Sequence, residues 1–168
     1  MIFGNIGSII SDHYSSLGQE TGLKNPFDYV FLGVVFVVFP AVVGFVLANY
    51  VVLWSGFITA SASVLSVLTG FSINTIILLM RYDEDGSHPY EQKTVRKTKE
   101  FTLYAILAGV VLIICLVFGI VISRIGGTAG SGLAFVVSGI VYSLMAHYFL
   151  TLLVITHRLW SLIHGDVL

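Results

Sequence analysis

Thr59, Ser63, Ser66, Gly70 and Asn74 recur every three or four residues through a stretch, 56–82, whose one charged residue is Arg81. On a helix that spacing gathers them on one face, with Phe57, Val64, Leu68, Phe71 and Leu79 on the far side. Hydroxyls and amides are costly against hydrocarbon unless they meet a partner or water, so such a stripe is expected to face protein or a pore. Two chemistries suit it. Small residues let helix backbones approach, and hydroxyls bond across the contact at about 0.6–2 kcal/mol each. Alternatively the stripe is the wall of a hydrated path, a reading favoured by its length and by the amide at its end. Ser61, Ser72 and Thr75 lie off it, where they can bond the carbonyls of the preceding turn.

His147 is the second candidate, the only imidazole, carboxylate or base well inside an apolar run. Groups of this kind are expensive in a membrane and face the bundle interior or water. Ser143 and Thr151 stand one helical turn to either side and could partner a neutral ring. Counted from the ends of their runs, His147 and Asn74 differ in depth by only ~5 Å, so the two are placed to meet. Either a packed, satisfied histidine or a pore or proton-linked site fits. Gly139, Ser143 and Ala146 form a small-residue ridge whose simplest partner is the helix of 56–82 or a second copy of itself. Lys93, Arg96, Lys97 and Lys99 make a basic turn suited to lipid headgroups. Multiplied around an oligomer, the same bases could receive an anionic cytosolic ligand such as a nucleotide or oligonucleotide.

Enzyme chemistry has little to stand on. There is no HExxH, nucleophile elbow, phosphate loop or pair of intramembrane carboxylates, and Asp83 to Gly86 lacks the remaining ligands of a calcium loop. Cys115 with His147 is a conceivable dyad, but apolar neighbours would keep the thiol protonated. No enzyme, cofactor or metal is expected.

The elements that must position these residues are set by composition. Of 168 residues, 57% are hydrophobic and 10% charged, against about a quarter charged in soluble domains. Together with a mean hydropathy of +0.96, that reads as an all-α integral membrane protein. The net charge of −1 gives no footing to a nucleic-acid binder driven by overall charge. Cys115 is the single cysteine, so no intrachain disulfide can form. No basic region precedes an apolar one at the N-terminus, and no cleavable signal peptide is expected.

Residues 1–26 place Ile2, Phe3, Ile6, Ile9, Ile10, Tyr14 and Leu17 largely on one side, predicting a short amphipathic helix at the interface or packed on cytosolic parts of the assembly. The remainder, 27–168, reads as a four-span domain, with spans at about 29–54, 57–80, 101–123 and 133–157. Pro40 predicts a kink in span 1, and Gly44 follows one turn later. Trp54, Ser55 and Gly56 predict a tight turn into span 2. The loop 81–100 passes from Asp83, Glu84 and Asp85 to the four bases, the basic half running on as an extension of span 3. Span 3 is the most uniformly apolar, which predicts a lipid-facing helix, with Ala105 and Gly109 as its one small pair. Arg124 to Gly132 is a glycine-rich turn.

Seven of the eight bases, Lys24, Arg81, Lys93, Arg96, Lys97, Lys99 and Arg158, fall on one side of this arrangement and only Arg124 on the other. The positive-inside rule therefore places both termini in the cytoplasm, at the inner membrane if the source is bacterial.

In outline, the amphipathic start (Met1 to Leu17), four spans with both termini inside and the face from Thr59 to Asn74 resemble the small four-helix membrane effector subunits of bacterial anti-phage systems, Kiwa and Hailong among them. The resemblance implies a homo-oligomer, for instance a tetramer, that opens or perturbs the membrane when a cytosolic partner or ligand signals infection. The leading expectation is thus an oligomeric channel in the lipid bilayer, its path lined by span 2 with span 4 behind. The runner-up is a non-conducting scaffold or accessory subunit, and a small carrier is weakened by the lack of an internal repeat.

Overall fold

The computed structural model describes residues 26–51, 53–84, 89–125 and 132–164, and nearly all of them are helical. The expected amphipathic helix over 1–26 lies outside the described residues apart from Pro26. Helix α1 (Pro26–Gly33) opens on a proline, whose missing N–H costs nothing at a first turn. It passes through a π turn (Val34–Val38) into α2 (Phe39–Tyr50), and together these make span 1. Spans 2, 3 and 4 are α3 (Ser55–Glu84), α4 (Pro89–Ile125) and α5 (Gly132–His164). Each contains an apolar segment of 21–29 residues, Val30–Tyr50, Ser55–Arg81, Thr94–Val121 and Gly132–Trp160. At about 1.5 Å per residue these are long enough to cross the ~30 Å hydrocarbon layer. The fold is that of a multi-pass membrane protein, and the basic stretch 93–99 runs on into span 3 as one helix.

Side by side, the helices run in the order span 1, span 4, span 3, span 2. Span 3 is therefore central, not lipid-facing as expected from its composition. Val95, Phe101, Ala105 and Leu116 on it are completely buried. Uniform apolarity does not separate inside from outside where the solvent is itself hydrocarbon; small residues do, and Ala105 and Gly109 mark the close faces. The opposite side of the same helix, with Val110, Val117 and Phe118, is exposed.

The ridge of span 4 packs on span 1, which corrects the expected contact with span 2. Pro40, Gly44 and Ala48, spaced four apart, form the buried edge of α2. A methyl at Gly44 would collide with the backbone N and Oγ of Ser143 and stand 2.7 Å from the Gly139 carbonyl oxygen. One at Gly139 would lie 2.6 Å from the Phe45 ring. Two glycines thus bring these backbones together, and Gly44 serves as a contact point, while the kink predicted at Pro40 takes the form of the π turn before it. Just before span 2, the Leu53 N–H donates to Ser138 Oγ of span 4 at 3.1 Å.

Gly44→Ala should lower the stability of the detergent-solubilised chain by about 1–3 kcal/mol. Gly70→Ala, where an added methyl meets open space, should leave it unchanged or raise it by up to about 1 kcal/mol. Reversible unfolding in mixed micelles separates the two, and equal losses would contradict this packing.

Candidate functional site

The span 2 stripe faces away from the protein. Thr59, Ser63, Ser66, Gly70 and Asn74 are all exposed, while Ile58, Ser61, Leu65, Thr69, Ser72, Thr75 and Leu79 are buried against span 3. At ~100° per residue the two faces lie nearly opposite each other. The expected meeting of Asn74 with His147 does not occur, because span 3 lies between their helices. Span 2 carries small polar residues on both faces, and the face that mixes them with Leu65 and Leu79 is the one that packs. The outward hydroxyls are satisfied along their own helix: Thr59 Oγ1 donates to the Ser55 carbonyl at 2.9 Å, Ser63 Oγ to Thr59 at 3.0 Å and Ser66 Oγ to Ala62 at 2.8 Å. Ser72 and Thr75 bond the preceding turn at 3.0 Å, as the sequence suggests. Asn74 makes no side-chain hydrogen bond to a described residue.

His147 is held by two other helices and not by its neighbours along span 4. Ser143 Oγ donates to Gly139 O at 2.7 Å, with Ala41 O at 3.4 Å, and Thr151 Oγ1 donates to the His147 carbonyl at 3.0 Å. The ring's own partners are Tyr104 Oη of span 3, 2.6 Å from Nε2, and the Phe36 carbonyl oxygen of span 1, 2.7 Å from Nδ1. A carbonyl only accepts, so Nδ1 carries hydrogen. In the neutral ring Nε2 then accepts from the Tyr104 hydroxyl. Both flanking rings, Phe36 and Tyr104, stand edge-on to the imidazole.

The Phe36 carbonyl has a particular need for that donor. In α register its partner would be the N–H of residue 40, and Pro40 has none. The π turn Val34–Val38 sits over the same gap, its Phe39 N–H bonding back to Val34 O. His147 thus supplies the hydrogen that Pro40 withholds, joining spans 1, 3 and 4 at one point. Sequence reasoning missed Tyr104 and Phe36; the usable signal was Pro40, which orphans the carbonyl four residues earlier wherever it interrupts a helix in hydrocarbon.

The bases at the span ends are dispersed. Arg96 is exposed and stands 3.8 Å from Glu100, a pair of small energetic weight at such exposure. Lys97 is buried and Lys99 half-buried; the Lys93 side chain lies outside the described residues. Arg158, which reads as an interfacial residue in the sequence, is 4% exposed with its guanidinium 3.7 Å from the centre of the Phe101 ring. Between spans 1 and 4 near the turn, a groove of about 390 Å³ is lined by apolar side chains including Leu47, Trp54, Phe57 and Tyr142, a surface that lipid chains cover without polar cost. Among the described residues, no three histidine, cysteine or acidic side chains are grouped to hold a metal ion.

No known protein family, curated protein or solved structure matches this chain.

His147→Leu should cost about 1–3 kcal/mol by stranding the Phe36 carbonyl. In a Pro40→Ala background the restored N–H can take over that oxygen, so the same substitution should cost visibly less. Strictly additive losses in chemical unfolding would show that Pro40 and His147 do not share the carbonyl. Nitrogen NMR of the ring should find hydrogen on Nδ1.

Proposed function

We propose that the chain is one protomer of an oligomeric, channel-type membrane protein, in which span 2 of each copy turns Thr59, Ser63, Ser66, Gly70 and Asn74 toward a shared path. The observation that carries this reading is the outward direction of the stripe, opposite the face by which span 2 packs in its own chain. A path through the single chain finds no support, since Ile58, Leu65, Leu112, Leu116 and Tyr148 fill its interior with at most 1% exposure. A symmetric assembly repeats one stripe into a ring, which converts five modest positions into a continuous polar lining. Ser143 and His147 then serve the protomer's internal packing, behind the lining helix.

In this proposal the basic end faces the cytoplasm, consistent with the bias of the bases, and Lys93, Arg96 and Lys99 are the groups from which a cytosolic protein or anionic ligand would act. The resemblance seen in the sequence adds a role, membrane permeation as the effector step of an anti-phage response. A second reading, a non-conducting scaffold, is favoured by one specific fact: the stripe's hydroxyls already bond their own helix and do not require water.

Cysteine accessibility decides between them. With Cys115 replaced, single cysteines at 59, 63, 66 and 70 should react with aqueous thiol reagents in membranes several-fold faster than those at 64 and 68. Equal, slow reaction at all six positions would sink the lined path. In liposomes Ser66→Leu should abolish ion flux while leaving assembly intact, and a membrane that stays impermeable under every cytosolic trigger would favour the scaffold.

A further inference from the structure

Among the described residues, two buried hydroxyls have no hydrogen-bond partner, Thr69 Oγ1 of span 2 and Tyr148 Oη of span 4. Tyr148 is fully buried and Thr69 is 8% exposed. They converge on one position of the helix between them. Measured from the point where a side chain at Gly109 would begin, Thr69 Oγ1 lies at 2.6 Å, Tyr148 Cε2 at 3.3 Å and Tyr148 Oη at 3.5 Å. Thr69 also differs from five neighbours on its own helix: Thr59, Ser63, Ser66, Ser72 and Thr75 each donate to the carbonyl one turn back. Its hydroxyl instead points at the Gly109 crossing.

We infer that Thr69, Gly109 and Tyr148 form a binding site for a single water molecule, bridging span 2 to span 4 across span 3. An orphaned hydroxyl in hydrocarbon carries its full desolvation cost, and two of them facing one point remove that cost together by sharing a water. The two oxygens make no hydrogen bond to each other, yet both flank the same point, where a water about 2.8 Å from each would join them. Gly109 is the required residue at the crossing, since a methyl there would stand where the Thr69 hydroxyl reaches in. Each hydroxyl can donate to the water or accept from it, so the bridge needs no charged or titrating group. The site is independent of the proposed channel path, which lies on the opposite face of span 2.

The test uses the full chain in nanodiscs. Thr69→Val and Tyr148→Phe should each lower the thermal unfolding midpoint, and the double variant should lie no lower than the worse single one, because either change already breaks the bridge. Thr69→Ser, which keeps the hydroxyl, should restore most of the loss. Radiolytic footprinting in isotopically labelled water should mark the Tyr148 ring despite its burial, and the mark should fade in Thr69→Val. Midpoints that stay level or rise, with additive effects, would overturn the site, since removing an unpartnered hydroxyl relieves a cost. Coupled midpoints without the label on Tyr148 would also overturn it, pointing to a direct bond between the two side chains.

Discussion

A backbone carbonyl in hydrocarbon has no water to fall back on, and the Phe36 carbonyl is the place where this chain meets that constraint. Pro40 removes the donor that helical geometry would have provided, and the π turn before it widens the same break. The imidazole of His147 fills the need at 2.7 Å, and its second nitrogen fixes Tyr104 of span 3 at 2.6 Å. The packing order follows from that junction. Span 1 must lie against span 4 for the carbonyl to meet the ring, and span 3 must lie on the other side of span 4 for Tyr104 to reach it. Gly44 and Gly139 bring the first pair of backbones into contact, while Ala105 and Gly109 lie buried on span 3. Span 2 has only the free side of span 3 to occupy.

The consequence for span 2 is that one of its two polar faces stays outside. The energetic weight of that exposure is uneven along the stripe. Thr59, Ser63 and Ser66 each donate to their own helix, so most of their desolvation cost is already met, and they tolerate lipid, protein or water alike. Asn74 differs. An amide has two donor hydrogens and a carbonyl oxygen, more capacity than a single i−4 bond can satisfy. The demand for a second surface therefore concentrates at Asn74, toward the basic end, with the hydroxyls above it permitting contact more than requiring it.

Much of the fold was legible in the sequence. Length, hydropathy and charge give four long apolar helices, because spanning a bilayer imposes the same arithmetic on any chain. What they do not give is the neighbour order. Span 3 looks lipid-facing by its apolarity, yet Phe101 and Leu116 are buried, since burial in a membrane is decided by shape and not by polarity. The ridge of Gly139 and Ser143 was visible as a contact surface, but its partner was not, for a small-residue face fits several others. The partners of His147 were out of reach for a different reason. One is a side chain 43 residues away and the other a main-chain atom 111 residues away, and only the missing N–H of Pro40 hints at the second.

The same order of helices leaves span 2 outside the His147 junction. Spans 1, 3 and 4 are locked at the His147 junction, whereas span 2 packs on span 3 through a face diluted by Ser61, Thr69, Ser72 and Thr75, which offer less interlocking volume than leucines would. Its described ties to span 4 are the Phe57 ring against Tyr142 at 5.5 Å, the Leu53 N–H on Ser138 just before the helix, and the Thr69 hydroxyl facing Tyr148 across Gly109. A tilt of span 2 would therefore pivot between Leu53 and Thr69 and grow from there through Asn74 toward the basic end. The stripe residue with the greatest unmet polar demand thus lies on the side of the lever away from its pivot. In the proposed assembly, a contact between Asn74 and a second copy would act there with the most leverage on the position of the whole stripe.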